Sequence, residues 1–157
     1  MFKTLIHRPH WRQVIICLMP YLLLTAGLFY ASTCSIVIIH ELCLVSGFLC
    51  MLWTFYQFFY YMKLEYIITG EQIIFLHGVF YYTTDYIELY RVVDYRQTRS
   101  VIQQLAYIKT VTISSGDRNM NELDIIGVKE NEDVISEIRN RVEYNKRRKG
   151  IYEITNR

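Results

Sequence analysis

The stretch QVIICLMPYLLLTAGLFYAS, residues 13–32, decides the architecture of the chain because it carries no formal charge. At about 1.5 Å of rise per residue, a helix of this length covers the roughly 30 Å hydrocarbon layer of a bilayer. A second run of this kind occupies residues 42–61, and Glu41 is the only formal charge between Gln13 and Met62. The sequence therefore predicts a transmembrane hairpin of two helices.

The basic residues around this hairpin predict its orientation. Lys3, Arg8 and Arg12 precede the first run, Lys63 follows the second, and the connection between the runs contains neither Lys nor Arg. Because cytoplasmic flanks are enriched in Lys and Arg, both chain ends are predicted to lie in the cytoplasm. Aromatic and basic residues near the helix ends are candidates for the bilayer interface: Trp11, Arg12, Trp53, Tyr60, Tyr61 and Lys63.

A cleaved signal peptide is the competing interpretation of the first run, since a basic leader precedes it. The run is longer than the core of such a peptide, and a second apolar run follows it in place of a polar mature start, so the hairpin is favoured. All four cysteines, Cys17, Cys34, Cys43 and Cys50, belong to the hairpin region and lack metal-ligand spacing. A bridge between Cys34 and Cys43 remains open as an alternative to free thiols.

From residue 64 the composition changes to that of a solvated domain. This part holds 13 of the 17 basic residues and 14 of the 15 acidic residues. The segments LEYIIT and QIIFLH, joined by Gly70 and Glu71, predict a first hairpin, and six or seven short strands are expected in all. The predicted division is 1–63 for leader and hairpin, 64–150 for the domain and 151–157 for a tail.

A single amphipathic helix is predicted after the last strand. Val134, Ile135, Ile138 and Val142 recur at helical spacing, so that one face can lie on a sheet. Asn131 is the predicted N-cap, with Glu132 and Asp133 in the first turn, Glu137 and Arg141 as an i,i+4 pair, and Gly150 as the stop. Strands followed by one helix indicate an antiparallel sheet curled on itself and closed by the helix.

The run from Tyr66 to Ile113 resembles the bacterial pleckstrin-homology (PH)-like family, whose members often carry two transmembrane helices before the domain. Residues 66–70 (YIITG) are similar to the opening strand and turn of that family, Gly78 to a glycine of its second strand, and residues 87–94 (IELYRVVD) to its central strand. Residues 97–113 are similar to the next segment, although Ala106 and Tyr107 stand where a glycine is common. The resemblance implies an α+β fold of two nearly orthogonal antiparallel sheets capped by a C-terminal helix, at the bacterial inner membrane.

No motif in the sequence predicts catalysis or a cofactor. No two glycines are close enough to form a phosphate-binding loop, and GxSxG is absent. His7 and His10 flank Pro9 in what reads as a flexible leader without nearby acidic or thiol partners, so no metal is expected. Asp85 is interpreted as a turn residue. A net charge of +2 is too small to favour nucleic acid as a partner.

Three binding hypotheses follow. The first is an adaptor or assembly subunit that contacts another membrane-associated protein or a second copy of itself, with the tyrosines of one strand face as candidates: Tyr81, Tyr82, Tyr86 and Tyr90. The second is binding of anionic lipid by the basic end of the helix, Lys146, Arg147, Arg148 and Lys149. In lipid-binding PH domains of eukaryotes the first hairpin loop grips inositol phosphates, but residues 69–72 contain no cation, so that ligand is not expected. The third is a membrane-perturbing hairpin regulated by the domain.

Overall fold

The computed structural model describes residues 2–33, 37–117 and 120–150 of the 157-residue chain. Its elements follow in order: β1 Leu5–His7, α1 Trp11–Ala31, α2 Val37–Lys63, β2 Glu65–Ile68, β3 Gln72–His77, β4 Thr83–Glu88, a single 3-10 turn Leu89–Arg91, β5 Val92–Thr98, α3 Val101–Leu105, β6 Ile108–Ser115, β7 Glu122–Lys129 and α4 Val134–Arg148. Two antiparallel sheets, β1-β2-β3-β4 and β5-β6-β7, are followed by α4, which confirms the predicted α+β, PH-like class.

The first strand lies in the segment that the sequence predicts to be a flexible leader, and that expectation is wrong. Leu5–His7 pairs with β2 in antiparallel register, with Leu5 opposite Ile68 and His7 opposite Tyr66. The two long helices are therefore an insertion between adjacent strands of one sheet. The hairpin that the sequence predicts from residues 65–77 exists as β2 and β3, which follow β1 in the order of the sheet.

The second sheet bends where its strands lose register. Lys109 lies opposite Val128 and Val111 lies opposite Ile125, so one extra residue bulges out of β7. Gly127 sits in that bulge with a φ of 69°, a backbone conformation that favours glycine. The core between the sheets is aliphatic, and Tyr66 crosses it to donate a hydrogen bond from its hydroxyl to the Asp124 carbonyl oxygen, at 2.8 Å.

Helix α4 closes the core with Ile138 and Val142, as its periodicity predicts. Its N-cap is Asp133, whose carboxylate accepts a hydrogen bond from the Ser136 amide at 3.2 Å. The prediction of Asn131 as the N-cap is wrong by two residues, because the chain first turns after Lys129 and Asp133 is the residue that reaches the free amides. Gly150, with a φ of 68°, follows the helix as predicted.

The two long helices pack against each other as an antiparallel pair. Both are long and apolar enough to cross a membrane, with mean hydropathies of 2.1 and 1.7. A Cβ at Gly47 would lie 3.4 Å from the Phe29 ring of α1, so the small residue keeps the two helices close at this point. The Thr25 hydroxyl lies 3.2 Å from the Cys50 sulfur. Cys34 lies outside the described residues, so the bridge to Cys43 stays an open alternative to free thiols.

Candidate functional site

The strands run so that the domain has two distinct ends. Strand β2 begins directly after α2, which ends at Lys63, and runs away from the helices to a turn at residues 69–71. Strand β3 then runs back to α2, where the rings of His77 and Tyr60 lie 6.4 Å apart. We call the end beside the helices the helix-proximal end. It holds the β3–β4 loop, α3 and the start of α4. The opposite, helix-distal end holds the β2–β3 turn, the 3-10 turn and the C-terminus of α4.

The base of α1 is fixed to the second sheet. The His10 amide donates a hydrogen bond to the Gly127 carbonyl oxygen at 3.1 Å. A Cβ at Gly127 would lie 2.8 Å from both the His10 nitrogen and the Gln13 Cβ, so the bulge glycine lets helix and strand approach closely. The His10 ring caps α1 by accepting a hydrogen bond from the Arg12 amide at 3.3 Å. Helix α1 is therefore attached to the domain by direct contacts at its N-terminus, and no flexible linker separates the two.

Helix α3 forms a second attachment to α1. The buried Gln103 amide donates to the Gln13 side-chain oxygen at 2.9 Å and to the Thr110 hydroxyl at 3.0 Å. The Arg12 guanidinium donates to the Ala106 carbonyl oxygen at 2.9 Å. Two polar contacts therefore join α3 to the first turn of α1, although the bonded residues are separated by 94 and by 90 positions in the sequence.

The β3–β4 loop lies along α2. The Phe80 ring stacks on the Tyr56 ring with centroids 6.1 Å apart, and the Lys63 ammonium donates to the Val79 carbonyl oxygen at 3.4 Å. Gly78 has a φ of 116°, and a Cβ there would lie 1.8 Å from the Tyr81 carbonyl oxygen. The loop therefore depends on glycine at this position.

The predicted interface residues cluster at the helix-proximal end, except Trp53, which lies further along α2. Trp11 and Arg12 open α1, and Tyr60, Tyr61 and Lys63 close α2. Trp53 lies ten residues before Lys63, which is about 15 Å of helix and half of a hydrocarbon layer. Their contact with lipid stays a prediction.

The predicted basic cluster lies at the helix-distal end. Three of its members face carboxylates: Arg148 lies 2.7 Å from Glu71, Lys149 lies 3.6 Å from Glu88, and Arg147 lies 3.6 Å from Glu143. Lys149 also covers the Tyr90 ring at 3.5 Å. Anionic lipid binding by Lys146, Arg147, Arg148 and Lys149 stays a prediction, and this cluster lies at the end of the domain away from α1 and α2.

The four candidate tyrosines do not share one face. Tyr81 and Tyr82 lie in the exposed β3–β4 loop at the helix-proximal end, and Tyr90 lies under Lys149 at the helix-distal end. Tyr86 lies on the outward face of the first sheet, opposite Ile74. It completes a cross-strand row with residues that the sequence does not single out. We call this the outer row: Ile6, Ile67, Ile74 and Tyr86.

Ionisable side chains elsewhere pair with each other. Asp85 lies in β4, where its carboxylate is 2.9 Å from the His77 ring nitrogen, so its interpretation as a turn residue is wrong. Burial lowers the pKa of His7, which lies 3.7 Å from Glu132 beside a groove of about 650 Å³. Among residues 2–33, 37–117 and 120–150, no group of three His, Cys, Asp or Glu side chains could hold a metal ion.

The connection between the first two strands of this sheet differs from that of lipid-binding PH domains. In those domains the loop between the first two strands holds the cations that grip lipid headgroups. Here that connection is the α1–α2 pair itself, because β1 precedes the helices and β2 follows them. Residues 69–72, which the sequence matches to that loop, join β2 to β3, the second and third strands of this sheet.

One comparison with known proteins finds a family. The family model described as bacterial PH domain matches residues 14–142, which is more than half of the chain and includes α2 and α1 from its fourth residue onward. No curated protein and no solved structure matches the chain. The extent of the family match, together with the two antiparallel sheets and the closing helix, shows that the chain belongs to the bacterial PH domain family.

Proposed function

We propose that the chain is a non-enzymatic protein of the bacterial inner membrane whose PH-like domain serves as an adaptor or assembly subunit on the cytoplasmic face. The observation that carries the proposal is the outer row, since Ile6 is 62% exposed and Tyr86 is 55% exposed on a sheet face that α4 does not cover. An aliphatic and aromatic row on a solvent-facing sheet surface is typical of a protein contact site.

The pairing of β1 with β2 supports an arrangement with both helix bases on one side of the bilayer. A strand before α1 and a strand after α2 can pair only when the chain crosses an even number of times. The basic residues at those bases, Arg8, Arg12 and Lys63, favour the cytoplasm as that side. A reporter fused after Arg157 is expected to be active in the cytoplasm, and activity only outside the cell would contradict this orientation.

The attachment of α1 to α3 and to the second sheet supports a role in which the domain holds the outer row in place for a partner. Because Gln13, Arg12 and His10 are bonded to the domain, the outer row is held at a fixed height and direction relative to the bilayer. A partner that moves in or on the same membrane meets this surface at a high effective concentration.

The test is purification of the full chain from its native membrane in mild detergent, with every stoichiometric companion identified. A companion that is lost in the variant Ile6→Glu/Tyr86→Glu and retained in Val93→Glu supports the proposal. Val93 is the matched control, because it is an exposed strand residue of the other sheet. A companion retained in both variants, or a particle that contains only this chain and lipid, contradicts the use of the outer row by another protein.

A further inference from the structure

We infer that the domain rests on the bilayer through two apolar feet, one beside α2 and one beside α1. The inference rests on the proposed function, because it requires α1 and α2 to span a membrane. The loop foot is formed by Phe80, Tyr81 and Tyr82. The α3 foot is formed by Val101, Ile102, Leu105 and Tyr107.

The depth of the loop foot follows from its contact with α2. Tyr56 lies seven residues before Lys63, which corresponds to about 10 Å along the helix. Lys63 is the first cation after the apolar run and marks where the hydrocarbon layer ends. Since the Phe80 ring stacks on Tyr56, it lies beside a spanning helix at a level within the bilayer, while 92% of its surface is uncovered by protein.

The α3 foot lies at a shallower level. Its backbone is bonded to Arg12, and its buried Gln103 is bonded to Gln13, both in the first turn of α1. The side chains that point away from Gln103 are apolar and open, with Leu105 77% exposed. The foot therefore lies near the headgroups, beside the exposed Trp11.

Both feet contact lipid rather than a protein partner, for two reasons. The loop foot contacts α2 and the α3 foot contacts α1, and each adjoins the exposed apolar surface of its helix. A single docking protein would therefore have to cover both helices. Residues 78–84 and 100–108 contain no formal charge, whereas Arg12 and Lys63 lie at the level of the headgroups. Apolar tips with a basic border match a bilayer interface.

The backbone of Tyr107 supports the same assignment. It has a φ of 54°, in the left-handed region that disfavours residues other than glycine. Its side chain is largely exposed and so gains nothing from the protein core. An aromatic ring in a strained, uncovered position is accounted for when the ring lies in the bilayer interface, where Tyr is enriched.

Fluorescence quenching by brominated lipids tests the inference on the full chain in liposomes of phosphatidylcholine and phosphatidylglycerol. The background variant Trp11→Phe/Trp53→Phe removes both native tryptophans, and single tryptophans are then introduced by Phe80→Trp, Ile102→Trp, Leu23→Trp and Tyr144→Trp. Leu23 is an exposed residue in the middle of α1 and reports spanning. Tyr144 is the matched distal control, because the adjacent Asn145 bonds the Gly70 carbonyl oxygen at the helix-distal end.

We expect Phe80→Trp and Ile102→Trp to be quenched several-fold more than Tyr144→Trp. Lipids brominated near the headgroup should quench Ile102→Trp best. Lipids brominated deeper in the acyl chain should also quench Phe80→Trp. Quenching of Leu23→Trp with either foot at the Tyr144 level overturns the two-foot inference and leaves the membrane anchor intact. An unquenched Leu23→Trp overturns the anchor, and the feet with it. Circular dichroism of each variant confirms that the fold is retained.

Discussion

The two turns at the opposite ends of β3 belong to one sheet and differ in almost every property. The turn at residues 69–71 is polar and held from outside: Arg141 donates to the Ile68 and Thr69 carbonyl oxygens at 2.9 Å, and Asn145 donates to the Gly70 carbonyl oxygen at 2.6 Å. The loop at residues 78–82 is uncharged, aromatic and exposed, and its backbone depends on a single glycine. The sheet is therefore built between two different surroundings, with charged contacts at one end and an apolar surface at the other.

The largest expected effect is at the polar turn. Arg141 is 2% exposed, and its loss takes a donor away from three carbonyl oxygens, those of Lys3, Ile68 and Thr69. We expect Arg141→Met to lower the free energy of unfolding by about 3 kcal/mol or more. Urea unfolding of the full chain in mild detergent, followed by near-UV circular dichroism, measures this change.

Arg147→Met is the control on the same helix. The Arg147 side chain is exposed and pairs with the exposed Glu143, so its removal should change the free energy of unfolding by less than about 0.5 kcal/mol. Equal effects of the two substitutions would show that Arg141 does not hold the turn.

The next effect compares the two turns directly. At Gly78 the backbone has a positive φ and an added Cβ meets the Tyr81 carbonyl oxygen, so Gly78→Ala should lower the free energy of unfolding by about 2 kcal/mol. At Gly70 an added Cβ meets the Phe2 side chain at 3.9 Å, which is an ordinary contact. Gly70→Ala should therefore cost less than about 1 kcal/mol, and a reversal of this order in thermal unfolding would contradict the description of the loop.

A smaller effect of opposite sign is expected at Tyr107. Tyr107→Gly relieves the backbone strain at a φ of 54° but increases the entropy of the unfolded chain, so we expect a change between zero and about 1 kcal/mol of stabilisation in detergent. Tyr107→Ala keeps the strain and loses the ring, so it should not stabilise. If thermal unfolding showed Tyr107→Ala to be more stable than Tyr107→Gly, relief of backbone strain would not explain the effect of either substitution.

The smallest effect is a dependence on pH at the helix-proximal end. Burial lowers the pKa of His7 below the ordinary value of about 6.5, despite the opposing charge of Glu132. The unfolded chain then binds the proton more readily than the folded chain does, so stability falls as the pH is lowered through about 6.5.

His7→Gln removes this titration. Between about pH 7.5 and about pH 5.5, the variant should lose less stability than the parent chain loses. His10, whose pKa is also lowered by desolvation and by Arg12, remains in both proteins and contributes equally. An unchanged slope in the variant would assign the pH dependence to other groups.

The sequence predicts the long elements because their signals are long. The two apolar runs and the Val134, Ile138 and Val142 periodicity each extend over several turns, and the structure confirms the fold that they indicate. Strand β1 is missed because three residues before Pro9 show no periodicity, and only the pairing with β2 identifies them.

The candidate site is harder to predict because it depends on which end of the sheet a residue reaches. Lys146 to Lys149 are visible as a charge cluster, but their distance from the helices follows from the direction of α4. Arg141 reads as half of an exposed pair with Glu137, and that pair exists at 3.6 Å. Its burial and its bonds to β2 come from tertiary packing, which a local pattern does not contain.

The insertion of the helices between β1 and β2 also orders events in time. Leu5 cannot pair with Ile68 until about 60 intervening residues have been synthesised. In the proposed arrangement, in which α1 and α2 span a bilayer, both helices must also have inserted before the two strands meet. A chain whose hairpin fails to insert would keep β1 apart from its neighbour and leave the edge of β2 unpaired. Under that proposal, the sheet is completed only in chains whose helices have inserted, and an unfinished edge is a feature by which proteases and chaperones can recognise the failed chains.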